Sequence, residues 1–211
     1  MEFISILNDV LGPVMRGPSS SHTAGSYHIA RMARSLLGEE PISASFSFDR
    51  NGSYAQTFRQ QGADLAFAAG IMEWPMTDIR FPQALEIAAQ QGIKINFQEA
   101  PLERPDHPNT VKIEMFSKSG KTLSAVAKSI GGGGILFTEF EGWPVLLNGK
   151  SFEVLVVCDR SARKAVNKIL AADTHVSLKP VSQHRKNKTR KKDRLFIAVC
   201  CFTGRRFQKG K

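Results

Sequence analysis

The chain has 211 residues, of which 42% are hydrophobic, and this is enough to bury one sizeable core and a small second unit. No apolar run is long enough for a transmembrane helix, and no basic stretch precedes the first apolar residues, so the sequence predicts a cytoplasmic protein with no membrane partner. The net charge is +10, but 12 of the 29 Lys and Arg residues lie in 179–211. The rest of the chain is nearly neutral, which argues against nucleic acid as a partner.

The three cysteines are Cys158, Cys200 and Cys201. Their spacing fits no zinc or cluster-binding motif, and an iron–sulfur cluster needs three or four spaced thiolates. The sequence therefore predicts no metal site in this chain. An odd count without an export signal indicates free thiols.

The hydrophobic pattern predicts a series of helices and strands along the chain. Helices are expected at 3–10, 22–37, 53–72 and 82–91, strands at 42–48, 94–98, 110–116, 121–130 and 135–140, then a strand at 152–157 and a helix at 161–173. The strands between 110 and 140 follow one another through short turns, which favours antiparallel pairing. We therefore expect an α+β fold, a two-layer sandwich with a mainly antiparallel sheet and helices on one face.

The composition changes abruptly after about Ser177. We expect one domain over residues 1–150, the start of a truncated second α/β unit over 151–177, and a basic, disordered tail over 178–211. Two origins of the tail remain open. It is either the product of an out-of-frame or truncated gene end, or a genuine basic tail.

The strongest local signal is the segment GPSSSHTAG at residues 17–25. It places hydroxyls and an imidazole at the start of a predicted helix, where free N–H groups and the helix dipole favour an anion. The same dipole disfavours a charged imidazole at His22, which suits a proton acceptor near neutral pH. The segment is neither a Walker loop nor a nucleophile elbow. The alternative is an ordinary serine-rich cap, in which the hydroxyls bind the free N–H groups of the helix.

Two weaker signals follow. Asp106-His107-Pro108-Asn109 offers an imidazole and an amide two residues apart, which can orient a small polar ligand in a loop. A plain turn is the alternative, because Asp, Pro and Asn are turn formers. The run Gly131–Gly134 lets the backbone pass close to a ligand or another chain, or else it is a flexible bend between strands.

Taken together and in this order, GPVMRGPSSSHTAG, HPN and SIGGG resemble the β chain or β domain of bacterial iron–sulfur L-serine dehydratases. The resemblance covers roughly residues 1–150, which would be the substrate-binding domain. The same domain type is similar to the allosteric serine-binding domain of some phosphoglycerate dehydrogenases, which gives the alternative function of a regulatory module. A dehydrogenase domain would carry a GxGxxG motif, and this sequence has none.

The resemblance implies a lyase that converts L-serine to pyruvate and ammonia. It implies a 4Fe-4S cluster held by a partner α chain or domain and not by this chain, where the metal assists departure of the hydroxyl. A base must also take the α-proton. The partners implied are L-serine, the α part and further copies in an oligomer, and without the α part the chain should be inactive.

The matched positions carry the expected roles. His22 would be the catalytic base, and the hydroxyls of the loop would hold the substrate carboxylate. Positions expected to bind substrate are Ser19, Ser20, Ser21, Thr23, His107 and Asn109.

Overall fold

The structure is a computed structural model that describes residues 14–103, 105–150, 152–171, 176–180 and 194–201. The chain divides into two compact units, Met1–Glu141 and Gly142–Lys211. The helix predicted at 3–10 lies outside the described residues.

The helices and strands of the first unit follow one another in the order that the sequence pattern predicts. They are α1 (Ala24–Leu37), β1 (Pro41–Phe48), α2 (Ser53–Thr57), α3 (Ala63–Ile71), a short 3-10 helix (Phe81–Gln83), α4 (Ala84–Gln90), β2 (Lys94–Glu99), β3 (Thr110–Ser117), β4 (Thr122–Gly131) and β5 (Gly134–Phe140). Among the described residues, no helix combines the length and apolar character needed to cross a bilayer.

Five strands of the larger sheet belong to the first unit, in the order β2-β1-β3-β4-β5. The pairs β1–β3, β3–β4 and β4–β5 are antiparallel, whereas β1 and β2 are parallel. A parallel pair needs a crossover connection, and here α2, α3 and α4 provide it. The α+β fold with a mainly antiparallel sheet is confirmed, and the one parallel pair was not predicted.

The core lies between the helices and one face of this sheet. Alternate residues of β3 and β4 are buried, as a half-buried strand requires. Helix α1 packs on β4 and β5. The buried apolar residues of these elements are Ala24, Tyr27, Ile29, Ala30, Ala33, Leu37, Val111, Ile113, Met115, Leu123, Ala125, Ala127, Ile135 and Phe137. Because α1 packs on β4 and β5, the N-terminal end of this helix lies close to both strands.

Three glycines explain how the helices end and pack. The predicted helix 53–72 is two helices, because the chain turns before Gly62, which has φ 71°. Helices α1 and α3 approach closely at Gly70, where an added Cβ would lie 2.6 Å from the Tyr27 carbonyl oxygen. Helix α1 ends at Leu37, as predicted, and is followed by Gly38 in a left-handed conformation with φ 75°.

The second unit contains β6 (Trp143–Leu147), β7 (Phe152–Asp159), a 3-10 helix (Arg160–Ala162), α5 (Arg163–Ala171), β8 (Val176–Pro180) and β9 (Arg194–Cys201). Strands β7, β9 and β8 form an antiparallel sheet in that order. The strand predicted at 152–157 and the helix predicted at 161–173 are found as β7 and α5.

Strand β9 falls inside the range 178–211, which the sequence analysis predicted to be a disordered tail. The segment RLFIAVCC is apolar and rich in strand-forming residues, and the many basic residues around it concealed this pattern. The assignment of 1–150, 151–177 and 178–211 to three separate parts stays a prediction.

Candidate functional site

The loop before α1 closes on itself through the Ser19 carbonyl oxygen. It accepts hydrogen bonds from the backbone N–H groups of His22 and Thr23, at 3.2 and 2.8 Å, and from the Thr23 hydroxyl at 2.7 Å. Gly17 has φ 98°, and a Cβ there would lie 2.5 Å from Cγ2 of Thr23. The loop is therefore tightly wound, and the buried hydroxyl of Thr23 is used inside it.

The serine hydroxyls make one contact of the capping type, in which the Ser19 hydroxyl oxygen accepts a hydrogen bond from the His22 N–H at 3.3 Å, ahead of the first residue of α1. Thr23 at the N-cap position makes no side-chain cap hydrogen bond. The Gly25 N–H instead donates to the Ser20 carbonyl oxygen at 2.9 Å. The hydroxyls of Ser19 and Ser21 turn toward the His22 ring.

Hydroxyl groups flank both nitrogens of the His22 imidazole, which is 4% exposed. The Ser19 and Ser21 hydroxyls each lie 3.2 Å from Nδ1 and 3.1 Å from each other. On the other side of the ring, Oγ1 of Thr57 lies 3.1 Å from Nε2 and the Ser53 hydroxyl 3.4 Å. We call these four hydroxyls and the His22 ring the hydroxyl cluster.

Burial determines the charge of His22. It lowers the pKa of the imidazole, and the Ser53 backbone, a hydrogen-bond partner, opposes this effect in part. A lowered pKa keeps the ring neutral at pH 7, so it can accept a proton. The sequence analysis expected a neutral ring because of the helix dipole, but desolvation is the main cause.

Tyr54 on α2 packs against the loop and the His22 ring. Its hydroxyl donates to the Ser21 carbonyl oxygen at 3.1 Å and shares a 3.0 Å hydrogen bond with the Ser26 hydroxyl. The side chain is completely buried, and burial raises the pKa of the Tyr54 phenol. The phenol is therefore a neutral donor that holds the loop against α2.

The turn 106–109 lies at the N-terminus of α2. The Ser53 N–H donates to the Pro108 carbonyl oxygen at 2.8 Å, and a Cβ at Gly52 would lie 2.6 Å from that oxygen. His107 is half-buried, and its Nδ1 accepts from the Asn109 N–H at 3.1 Å. The turn is thus hydrogen-bonded directly to the backbone of Ser53, a member of the hydroxyl cluster.

The end of β4 joins this turn to α1. The Ser129 N–H donates to the Asn109 carbonyl oxygen at 3.1 Å, and a Cβ at Gly25 would lie 2.2 Å from Oγ of Ser129. Nδ1 of His28 lies 2.8 Å from the Gly133 carbonyl oxygen. The three motifs that the sequence singled out therefore meet around the first two turns of α1.

Two buried polar atoms in this region have no hydrogen-bond partner among the described residues, Oδ1 of Asn109 and Oγ of Ser129. Burial raises the pKa of the Tyr54 phenol, and the adjacent Ser129 hydroxyl opposes this effect without a hydrogen bond of ordinary geometry. Buried polar atoms without partners are rare in proteins, and where they occur they often belong to a functional site.

The structure thus brings Ser19, Ser21 and His22 into one cluster and places Asn109 next to it through Ser53 and Ser129. Ser20 contributes its carbonyl oxygen to the start of α1. Sequence reasoning missed several residues of the site: Ser26, Ser53, Tyr54, Thr57 and Ser129. A signal existed, because Ser53 and Thr57 follow an Asn-Gly turn and stand four residues apart, on one face of a helix.

A family model described as serine dehydratase beta chain matches residues 11–139. The chain belongs to the serine dehydratase beta chain family. It is 43% identical over 157 residues to a Bacillus subtilis (strain 168) protein named "Probable L-serine dehydratase, beta chain", covering 74% of this chain and 69% of that one. It is 34% identical over 148 residues to "L-serine dehydratase, beta chain" of Peptoniphilus asaccharolyticus, covering 70% and 66%. The resemblance carried by the three motifs is confirmed, and the whole hydroxyl cluster lies within the matched range.

The polar groups of this family site are hydroxyls, an imidazole and an amide. An iron–sulfur cluster takes thiolate ligands, so this donor set does not fit one. Within the described ranges, no group of three or more His, Cys, Asp or Glu residues is arranged to hold a metal ion. These hydroxyl, imidazole and amide groups are therefore unsuited as ligands of an iron–sulfur cluster.

Proposed function

We propose that this chain is the β component of a 4Fe-4S L-serine dehydratase that converts L-serine to pyruvate and ammonia. The cluster would be held by a partner α chain or domain. The observation that carries the proposal is the hydroxyl cluster: in a serine dehydratase beta chain, the loop before α1 places a buried, neutral imidazole among hydroxyls.

Loss of water from L-serine requires that a base removes the α-proton. His22 supplies a neutral imidazole with the pKa lowered by burial, so the base is unprotonated at neutral pH. The ring itself is 4% exposed, whereas Ser19 and Ser21 are only partly buried. The proton would therefore reach His22 through one of these two hydroxyls, which lie in contact with Nδ1.

Substrate binding would use the neutral polar groups around the base. The serine hydroxyls of the loop, with that of the partly buried Ser20 among them, are donors for the carboxylate of L-serine. Asn109 and His107, in the turn that contacts Ser53, would position the substrate. Asn109 has an amide oxygen without a partner among the described residues, which suits an acceptor for an ammonium group.

The proposed function also implies which partners the chain has. The relatives' names say "beta chain", which supports an α chain as the partner of this one. We propose that the two form an oligomer in the cytoplasm and that the chain alone has no dehydratase activity.

Reconstitution tests the proposal. The full chain and the α chain of the same organism are purified separately and together, loaded with iron and sulfide without oxygen, and assayed for pyruvate from L-serine. Activity should need both chains, and this chain alone should stay colourless. Pyruvate formation by this chain alone, or a brown colour in it, would refute the division of roles.

The same experiment distinguishes catalysis from the alternative function of a serine-binding regulatory module. An inactive reconstituted pair whose β chain still binds L-serine would overturn the catalytic proposal in favour of a serine-binding regulatory module. A pair that is active, and that loses activity when the β chain is left out, supports catalysis.

A further inference from the structure

The hydroxyl of Thr57 makes two contacts, and only one of them can use its hydrogen. Oγ1 of Thr57 lies 2.8 Å from the Ser53 carbonyl oxygen and 3.1 Å from Nε2 of His22. A carbonyl oxygen has no hydrogen to donate, so the Thr57 hydrogen belongs to the bond with Ser53. Toward His22, the same oxygen can therefore only accept.

An acceptor at this position requires that Nε2 of His22 carries a hydrogen. The Ser53 backbone contact raises the pKa of His22, as expected of an acceptor facing an N–H of the ring. The remaining group on this side, the Ser53 hydroxyl, is more distant at 3.4 Å. In a neutral imidazole one nitrogen is the donor and the other the acceptor, so the lone pair is on Nδ1.

The groups on the Nδ1 side of the ring are hydroxyls, which can donate a hydrogen bond to a lone pair. The hydroxyls of Ser19 and Ser21 lie 3.2 Å from Nδ1 and 3.1 Å from each other. They have two hydrogens between them, so one can be donated to Nδ1 and the other to the second serine. A proton added at Nδ1 would reverse the first bond and release a serine hydrogen for another acceptor.

We propose that Thr57 is a positioning residue that holds His22 in the Nε2–H tautomer, so that the basic lone pair at Nδ1 faces Ser19 and Ser21. The role of this lone pair in proton removal rests on the proposed function, whereas the tautomer is a property of this chain by itself. Thr57 acts through His22 and need not touch the substrate.

Nitrogen NMR of the full chain labelled with ¹⁵N-histidine tests the tautomer directly. Above the ordinary pKa of histidine, the His22 spectrum should show a protonated Nε2 and an unprotonated Nδ1, and comparison with His22→Gln identifies its signals. A protonated Nδ1 in the wild-type chain would overturn the proposal.

Variants of Thr57 test whether its hydroxyl determines the tautomer of His22. Thr57→Val keeps the shape of the side chain and removes the acceptor, so the ratio of Nε2–H to Nδ1–H forms should fall about three- to tenfold, as for loss of one neutral hydrogen bond. Thr57→Ser keeps the hydroxyl and should keep the wild-type tautomer. Thr138→Val is the matched control, since the Thr138 hydroxyl donates to the Val126 carbonyl oxygen on the sheet. An unchanged ratio in Thr57→Val would exclude Thr57 as the positioning residue.

Should Thr57→Val not fold, the wild-type and Thr57→Ser spectra still decide between the two tautomers. Turnover of the reconstituted enzyme is a separate readout. If Thr57 positions the base, Thr57→Val lowers kcat with little change in KM, and Thr57→Ser recovers most of it. A correct tautomer together with an inactive reconstituted enzyme would contradict the proposed function and leave the positioning role intact.

Discussion

The ring of Tyr54 meets the imidazole of His22 edge to face, with the ring centroids 5.1 Å apart and the ring planes at 73°. This contact places an apolar wall against a side chain whose two nitrogens are surrounded by hydroxyls. It explains how His22 is desolvated and hydrogen-bonded at the same time.

Removing the Tyr54 hydroxyl should destabilise the loop without removing that wall. Tyr54→Phe leaves the Ser21 carbonyl oxygen and the Ser26 hydroxyl without their buried partner. We expect the free energy of unfolding to fall by about 1–3 kcal/mol, measured by chemical denaturation. Tyr27→Phe is the control, because the Tyr27 hydroxyl accepts from Arg31 at 3.4 Å, a longer distance than either hydrogen bond of the Tyr54 hydroxyl. An equal loss in both variants would contradict this account.

Much of the sheet could be predicted from local patterns. The alternation of residues 42–48 and 110–116 reflects one buried face, and β1 and β3 begin and end within one residue of those ranges. The parallel pairing of β1 with β2 could not be predicted in this way. It depends on how the intervening helices pack, which no short-range pattern contains.

The site was predictable only on its α1 side. The string Ser19-Ser20-Ser21-His22 is dense in polar groups and stands out in the sequence. Ser53 and Thr57 lie more than 30 positions further on, in a segment that looks like a plain Ala-rich helix. Their role follows from the turn at Gly62, which separates α2 from α3, and from the packing of α2 under the loop.

Close packing of Gly25 against Ser129 gives a second prediction. Ala is favoured over Gly inside a helix by about 1 kcal/mol, yet a Cβ at Gly25 would lie 2.2 Å from Oγ and 2.8 Å from Cβ of Ser129. Gly25→Ala should therefore destabilise the chain, by about 1–3 kcal/mol as for other overpacked sites.

A double-mutant cycle checks this explanation. Ser129→Gly removes both clashing atoms, so Gly25→Ala should cost less in that background than in the wild type. Additive effects of the two substitutions in thermal unfolding would show that the contact between them is not the cause.

The lowered pKa of His22 predicts how stability depends on pH. The ordinary value is near 6.5, and burial lowers it in the folded chain, so the unfolded chain binds the proton more readily. The difference between the two pKa values means that neutral His22 favours the folded chain above pH 6.5. This stabilisation is lost as the pH falls through the lower pKa that His22 has in the folded chain.

Thermal unfolding between pH 8 and pH 5 measures the effect. His22→Gln should show a smaller decrease in Tm on acidification than the wild type, whereas Thr138→Val should retain the wild-type slope. Identical slopes in the wild type and His22→Gln would mean that His22 does not titrate differently in the two states.

Turnover of the reconstituted enzyme with His22→Ala tests the central claim most directly. If His22 is the base, kcat should fall by roughly 10²–10⁴-fold, the range for a general base, while thermal unfolding still shows a folded chain. His28→Gln, which removes an imidazole that contacts the Gly133 carbonyl oxygen instead of the hydroxyl cluster, should lose far less. Wild-type turnover in His22→Ala, or a rise in KM with kcat unchanged, would contradict the assignment of His22 as the base.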